Sequence, residues 1–197
     1  MRGIPPIVIV LAAVLGLSGL LLVGGAALFI GKAWFGVPFF SNGPVQPIGF
    51  PHTVHAGAVD NGGLGLECSF CHRNVDKGAS ATVPSVEQCM FCHSQVVGTT
   101  ETAQAEISLL RSKAELGEPI DWVRVHRLPD HVQFVHDAHI RYFTENNGMS
   151  TKQVCSTCHG SVETMTQVKP VRSLKMGDCV DCHRENSAPT DCATCHY

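Results

Sequence analysis

The sequence predicts one N-terminal transmembrane helix followed by a mostly irregular chain with short α-helices and little sheet, organised around something other than a side-chain core. Three observations lead there. Residues Ile7 to Ile30 carry no charge and are rich in Leu, Val, Ile, Ala and Gly. All ten cysteines fall into five copies of one pattern, C-x-x-C-H. Nineteen glycines and eleven prolines punctuate the chain, as expected where it wraps around other groups instead of forming long regular elements.

At a helical rise of about 1.5 Å per residue, the apolar run spans about 36 Å, enough to cross the hydrocarbon core with some tilt. Arg2 precedes it, which favours a cytoplasmic N-terminus. A secretory signal has an apolar region of only about 7 to 15 residues and ends at a small-x-small cleavage site. This run is longer, and Lys32-Ala33-Trp34-Phe35 matches such a site poorly. The expectation is an uncleaved signal-anchor, a single pass through the cytoplasmic membrane with the N-terminus inside and the remainder on the periplasmic, extracytoplasmic side. Trp34, Phe35, Phe39 and Phe40 suit the headgroup level. Ala12 with Gly16, and the run Gly24-Gly25-Ala26-Ala27, would let another helix approach closely or reflect ordinary membrane-span composition.

The five motifs are Cys68-Ser-Phe-Cys71-His72, Cys89-Met-Phe-Cys92-His93, Cys155-Ser-Thr-Cys158-His159, Cys179-Val-Asp-Cys182-His183 and Cys192-Ala-Thr-Cys195-His196. C-x-x-C-H is the attachment signature of c-type haem. Two thiols add across the porphyrin vinyl groups, and the adjacent histidine sits under the iron as its proximal ligand. A zinc ribbon needs no histidine directly after each second cysteine, and a disulfide framework leaves that residue free. The predicted class is therefore a multihaem cytochrome c with five covalently bound haems. Their proximal ligands would be His72, His93, His159, His183 and His196. The formal charge of −3 omits the haem propionates, so such a domain is more acidic than its sequence, and no basic stripe argues for nucleic acid.

An internal repeat organises the rest. Phe50-Pro-His52-Thr-Val-His55 precedes two motifs, and Phe134-Val-His136-Asp-Ala-His139 precedes three. This F-x-H-x-x-H pattern divides the chain into a membrane anchor (1–35), a two-haem module (36–97), a linker (98–121) and a three-haem module (122–197). Histidines at i and i+3 of a helical turn share a face, so each pair can supply distal ligands to two neighbouring haems. The candidates are His52, His55, His136 and His139, with the aromatic residue of each pattern packing on a porphyrin edge. Within the linker, Thr100 can cap a helix running to about Leu116, ended by Gly117 and Pro119, with Ile107, Leu110 and Ala114 as its apolar stripe.

F-x-H-x-x-H ahead of closely spaced C-x-x-C-H motifs resembles the class III cytochrome c3 and c7 family. There the first histidine of a pair serves the first haem and the second a later one. Carried over by order, the resemblance gives His52 to the haem of Cys68/Cys71, His55 to Cys89/Cys92, His136 to Cys155/Cys158 and His139 to Cys179/Cys182. The four F-x-H-x-x-H histidines leave one iron, that at Cys192/Cys195, and His126, His131, Met149, Met165 and Met176 remain; Met176 or His126 is the candidate, with His131 behind them as a surface or propionate-contacting residue. Trp122-Val-Arg-Val-His126-Arg-Leu-Pro-Asp-His131-Val-Gln-Phe134-Val-His136-Asp-Ala-His139 and Leu174-Lys-Met176-Gly-Asp-Cys179 resemble instead the pentahaem cytochrome c component of alternative complex III. That resemblance implies an electron relay in a respiratory or photosynthetic quinol-oxidising complex. Its partners would be an iron–sulfur subunit, multi-span membrane subunits and a soluble cytochrome c or copper-protein acceptor. No C-x-x-C-K variant suggests a catalytic haem, so the chain is expected to be a non-catalytic subunit. The alternative is a quinol dehydrogenase of the NapC/NrfH type feeding a nitrate or nitrite reductase, a family with one N-terminal helix but typically four haems.

Overall fold

The computed structural model describes residues 5–35 and 43–197, leaving aside the side chains of Lys32, Trp34 and Phe35. The expectations for Arg2 and for the aromatic side chains at 34, 35, 39 and 40 lie outside the described residues. The chain divides into two units, Met1–Phe39 and Phe40–Tyr197.

Helix α1 (Pro6–Phe35) begins on a proline, which costs nothing at a position whose N–H has no intrahelical partner. It is apolar all round, and its Pro6–Gly31 stretch of 26 residues is long and apolar enough to cross a membrane. The Ser18 hydroxyl donates to the Leu15 carbonyl at 3.0 Å, satisfying the polar side chain within the helix.

The second unit consists of short helices joined by irregular chain. They are α2 (His52–His55), α3 (Cys68–Cys71), α4 (Val86–His93), α5 (Glu101–Leu116), α6 (His136–Arg141), α7 (Thr151–His159), α8 (Met176–Glu185) and α9 (Cys192–Cys195). Among the described residues there is no sheet, only an isolated antiparallel bridge between Val132 and His196. Helix ends follow local chemistry. Thr100 accepts the Ala103 N–H at 3.2 Å to cap α5, and Gly117 at φ +65° closes it, with Glu118 N–H donating to Lys113 O at 2.9 Å. Ser150 and Gln153 form a reciprocal capping box at the start of α7.

Only six apolar side chains are buried among the described residues, in two small clusters. Ile48, Val86 and Leu110 gather with Cys89, Met90, Ala114, Ile120 and Trp122. The apolar stripe of α5 thus packs on its own unit, against α4. Val75, Ile140 and Val154 form the second cluster with Ala81, Phe143, Met149 and Cys155. Such a core is far too small for about 155 ordered residues to be held by side-chain burial alone. Both clusters include a motif cysteine, so the apolar contacts that exist are concentrated at the motifs.

The segment entering this unit is stitched down by polar contacts. Gln46 exchanges two hydrogen bonds with the Val123 backbone, both 2.9 Å, and Gln167 donates to the carbonyls of Gly43 and Pro44. A Cβ on Gly43 would lie 1.8 Å from the Val168 carbonyl oxygen, so only glycine permits this crossing.

Candidate cofactor-binding site

Each motif lies on a helical turn. The two cysteines, three residues apart, project from one face of α3, α4, α7, α8 or α9. The following histidine is the last residue of α4 and α7 and the C-cap of α3 and α9, while α8 continues to Glu185. No disulfide joins any of the ten cysteines. Among the described residues no three His, Cys, Asp or Glu side chains converge on a point, as a zinc ribbon would require.

The F-x-H-x-x-H segments form α2 and the start of α6, and their geometries repeat. Phe50 lies edge-on to His52 (centroids 5.0 Å, 85°) and stacks on His55 (4.2 Å, 22°). Phe134 lies edge-on to His136 (4.8 Å, 88°) and stacks on His139 (4.6 Å, 27°). Each phenylalanine therefore orients the two imidazoles directly, a role the sequence pattern alone does not reveal.

Three of these four histidines face a motif histidine ring to ring. Ring centroids lie 6.1 Å apart for His55 and His93, 6.4 Å for His136 and His159, and 6.0 Å for His139 and His183. The fourth, His52, is pushed down to about 4 by burial and by the neighbouring His72 and His55. His159 is likewise held at about 4 by burial, then by His126, His136 and His72. Both rings are thus neutral at physiological pH, the state in which an imidazole can ligate a metal.

Hydrogen bonds fix which nitrogen is available. A carbonyl oxygen only accepts, so an imidazole Nδ1 beside one must carry the hydrogen, which leaves the lone pair on Nε2. Seven histidines are held this way. The acceptors are Pro51 O for His55 (3.1 Å), Thr82 O for His72 (2.5 Å), Val96 O for His93 (3.3 Å), Ala79 O for His136 (2.7 Å), Val135 O for His139 (2.7 Å), Pro189 O for His183 (2.5 Å) and His131 O for His196 (3.3 Å). Thr82 adopts φ +57°, a costly conformation for a β-branched residue, at the position whose carbonyl steadies His72.

The candidates at the fifth motif are Met176 and His126. Met176 is 67% exposed at the start of α8, and the His126 ring stands against His159, not His196. The ring beside His196 is that of His131 (5.4 Å, 19°). The two belong to a short paired stretch in which Gln133 N–H donates to Cys195 O and Tyr197 N–H to His131 O.

Two further side chains steady the second motif, and neither carries a local sequence signal. Gln88, buried just before Cys89, donates to the Phe70 carbonyl inside the first motif. Arg111 of α5 donates from Nε to the His93 carbonyl at 2.7 Å and reaches Val96 O at 3.5 Å, closing the exposed end of α4. Replacing Arg111 by alanine is expected to cost about 1.5 to 3 kcal/mol, the range for hydrogen bonds to a charged donor, read as a lowered thermal midpoint.

The motifs adjoin in an order that is not their order in the chain. Cys89 is pushed up by burial and by Cys71, next to the first motif. Cys155 lies beside Cys68, where α3 packs on α7. Burial raises Cys158, with Cys182 adding to it. Burial also raises Cys179, followed by Asp178 and then Cys195. The row runs second, first, third, fourth, fifth. Cys92 and Cys192, the two exposed cysteines, belong to its two ends.

No family model matches the chain. It is similar to the "Menaquinone reductase, multiheme cytochrome c subunit" of Nitratidesulfovibrio vulgaris, with 27% identity over 197 residues covering 88% of this chain and 90% of the relative.

Proposed function

We propose that this chain is a membrane-anchored pentahaem c-type cytochrome relaying electrons within a quinol-oxidising respiratory or photosynthetic complex, of the alternative complex III kind, to a soluble periplasmic acceptor. The observation that carries the reading is the facing of motif histidines by F-x-H-x-x-H histidines. Two metal–imidazole bonds of about 2 Å put the ring centroids about 6 Å apart, which the three facing pairs match at 6.0–6.4 Å. The residues present therefore fit haem iron, and the sparse side-chain core fits macrocycles as the missing interior.

In this reading Cys68/Cys71, Cys89/Cys92, Cys155/Cys158, Cys179/Cys182 and Cys192/Cys195 tether the groups covalently. His72, His93, His159, His183 and His196 are the proximal ligands, and His52, His55, His136 and His139 the distal ligands at the first four motifs. Haem held there supplies a one-electron couple whose potential depends on axial ligand, hydrogen bonding and burial. The chain's own residues keep His52 and His159 neutral, leave the Nε2 lone pair free on the seven imidazoles held at Nδ1, and set the motifs beside one another. Two histidines at an iron leave no position for substrate, which favours a carrier over a catalyst. The exposed ends of the row, at Cys92 and Cys192, are where partners would meet it. Helix α1 would anchor the unit in the cytoplasmic membrane, N-terminus inside.

The relative's name supports a quinone-linked complex, and its word "reductase" favours a second reading, the same relay running toward quinone. Purification of the chain from native membranes in mild detergent tests both. A large iron–sulfur subunit with multi-span proteins is the expected company. Quinol should then reduce the haem band in the first reading, and added quinone should bleach the reduced band in the second. Recovery with a nitrate or nitrite reductase would replace both with the quinol-dehydrogenase alternative.

A further inference from the structure

We propose that His126 is a positioning residue that tunes the haem tethered at Cys155 and Cys158, by accepting the Nδ1 hydrogen of its proximal ligand, His159. The inference rests on the haem reading above and adds a residue that lies in neither the motif nor the F-x-H-x-x-H pattern.

Of eleven histidines, five end motifs and four form the two F-x-H-x-x-H pairs, leaving His126 and His131. His126 Nε2 lies 3.3 Å from His159 Nδ1, with the rings edge to face at 4.3 Å and 82°. The ring of His136 lies parallel to that of His159, at 6.4 Å and 9°. If His159 ligates through Nε2, its Nδ1 retains the hydrogen, and the nitrogen facing it must accept. His126 is then fixed with its own hydrogen on Nδ1.

This is a departure from the other four proximal histidines. His72, His93, His183 and His196 all donate Nδ1–H to backbone carbonyls. Only at the third motif is the acceptor a side chain, which substitution can remove without rebuilding the backbone. A proximal imidazole that donates a hydrogen bond is the more basic ligand and favours the ferric state, lowering the potential. The location gives this weight, because the third motif joins the two halves of the row through Cys155 and Cys68. A potential set there governs passage between the two-motif and three-motif halves.

The test compares wild-type full-length protein with His126→Leu, which cannot accept, and His126→Gln, whose side-chain oxygen can. Haem content and the haem-bearing peptides are measured first, then each midpoint by redox titration followed by the low-spin ferric signals. The signal belonging to Cys155/Cys158 is identified from the change caused by His136→Met. The expected result is full haem loading, an upward shift of that one midpoint in His126→Leu, and return toward wild type in His126→Gln. Loss of that haem in the Leu variant alone, restored in the Gln variant, would equally support the hydrogen bond. Unchanged midpoints, equal effects of both variants, or a shift at a different haem would overturn the proposal. Absence of haem from the wild-type Cys155/Cys158 peptide would instead overturn the underlying reading.

Discussion

On the pentahaem reading, replacing Cys155 and Cys158 together by alanine is expected to remove one haem in five and unseat the fold around it, whereas the same change at Cys192 and Cys195 should remove one haem and little else. The contrast follows from position. Cys155 packs with Val75, Ile140 and Val154, and α7 lies against both α3 and α6. Removing a group tethered there would open a hole in one of the two small apolar clusters found among the described residues. A loss above about 4 kcal/mol is the range reserved for such cofactor and core failures. The fifth motif ends the row, and its first cysteine is already exposed. Pyridine haemochrome per polypeptide and a denaturant midpoint measure both variants. Equal damage from the two would show that the third motif is not the junction.

Exchange of His139 for methionine should raise the potential of a single haem, that of Cys179/Cys182, by on the order of 0.1 V within the roughly 0.8 V range that axial ligation spans. A thioether donates less to ferric iron than imidazole does, and His139 faces His183 at 6.0 Å. His139→Ala should convert the same haem to a high-spin ferric state, visible by electron paramagnetic resonance. The backbone consequences should be slight, because the His139 hydrogen bond to Val135 O lies within its own turn. If every haem stays low-spin in His139→Ala, the facing pair is not a ligand pair.

Much of this site is legible in the sequence because its parts are local. The motifs, the F-x-H-x-x-H turns, the apolar run of α1 and the caps of α5 all depend on residues within about a turn of one another. The rings of His55, His136 and His139 lie beside the motif histidines to which the family resemblance assigns them by order. What the sequence conceals depends on contacts between distant segments. His131 reaches His196 only because residues 131–133 pair with 195–197, which no periodicity announces. His126 meets His159 across 33 residues. The row of motifs begins at the second and not the first, because α3 packs on α7. The carbonyl acceptors leave no trace at all, since every residue type carries one.

That last property has a consequence for tolerance to mutation. Main-chain oxygens at Thr82, Val96, Pro189 and His131 steady four motif imidazoles, and exchanging the side chains at those positions need not remove a single acceptor. The ligand geometry can therefore persist while the surrounding sequence drifts, provided the backbone path is kept. Position 126 lacks this insurance. Under the proposal made for His126, a single codon change there would retune the molecule without dismantling it.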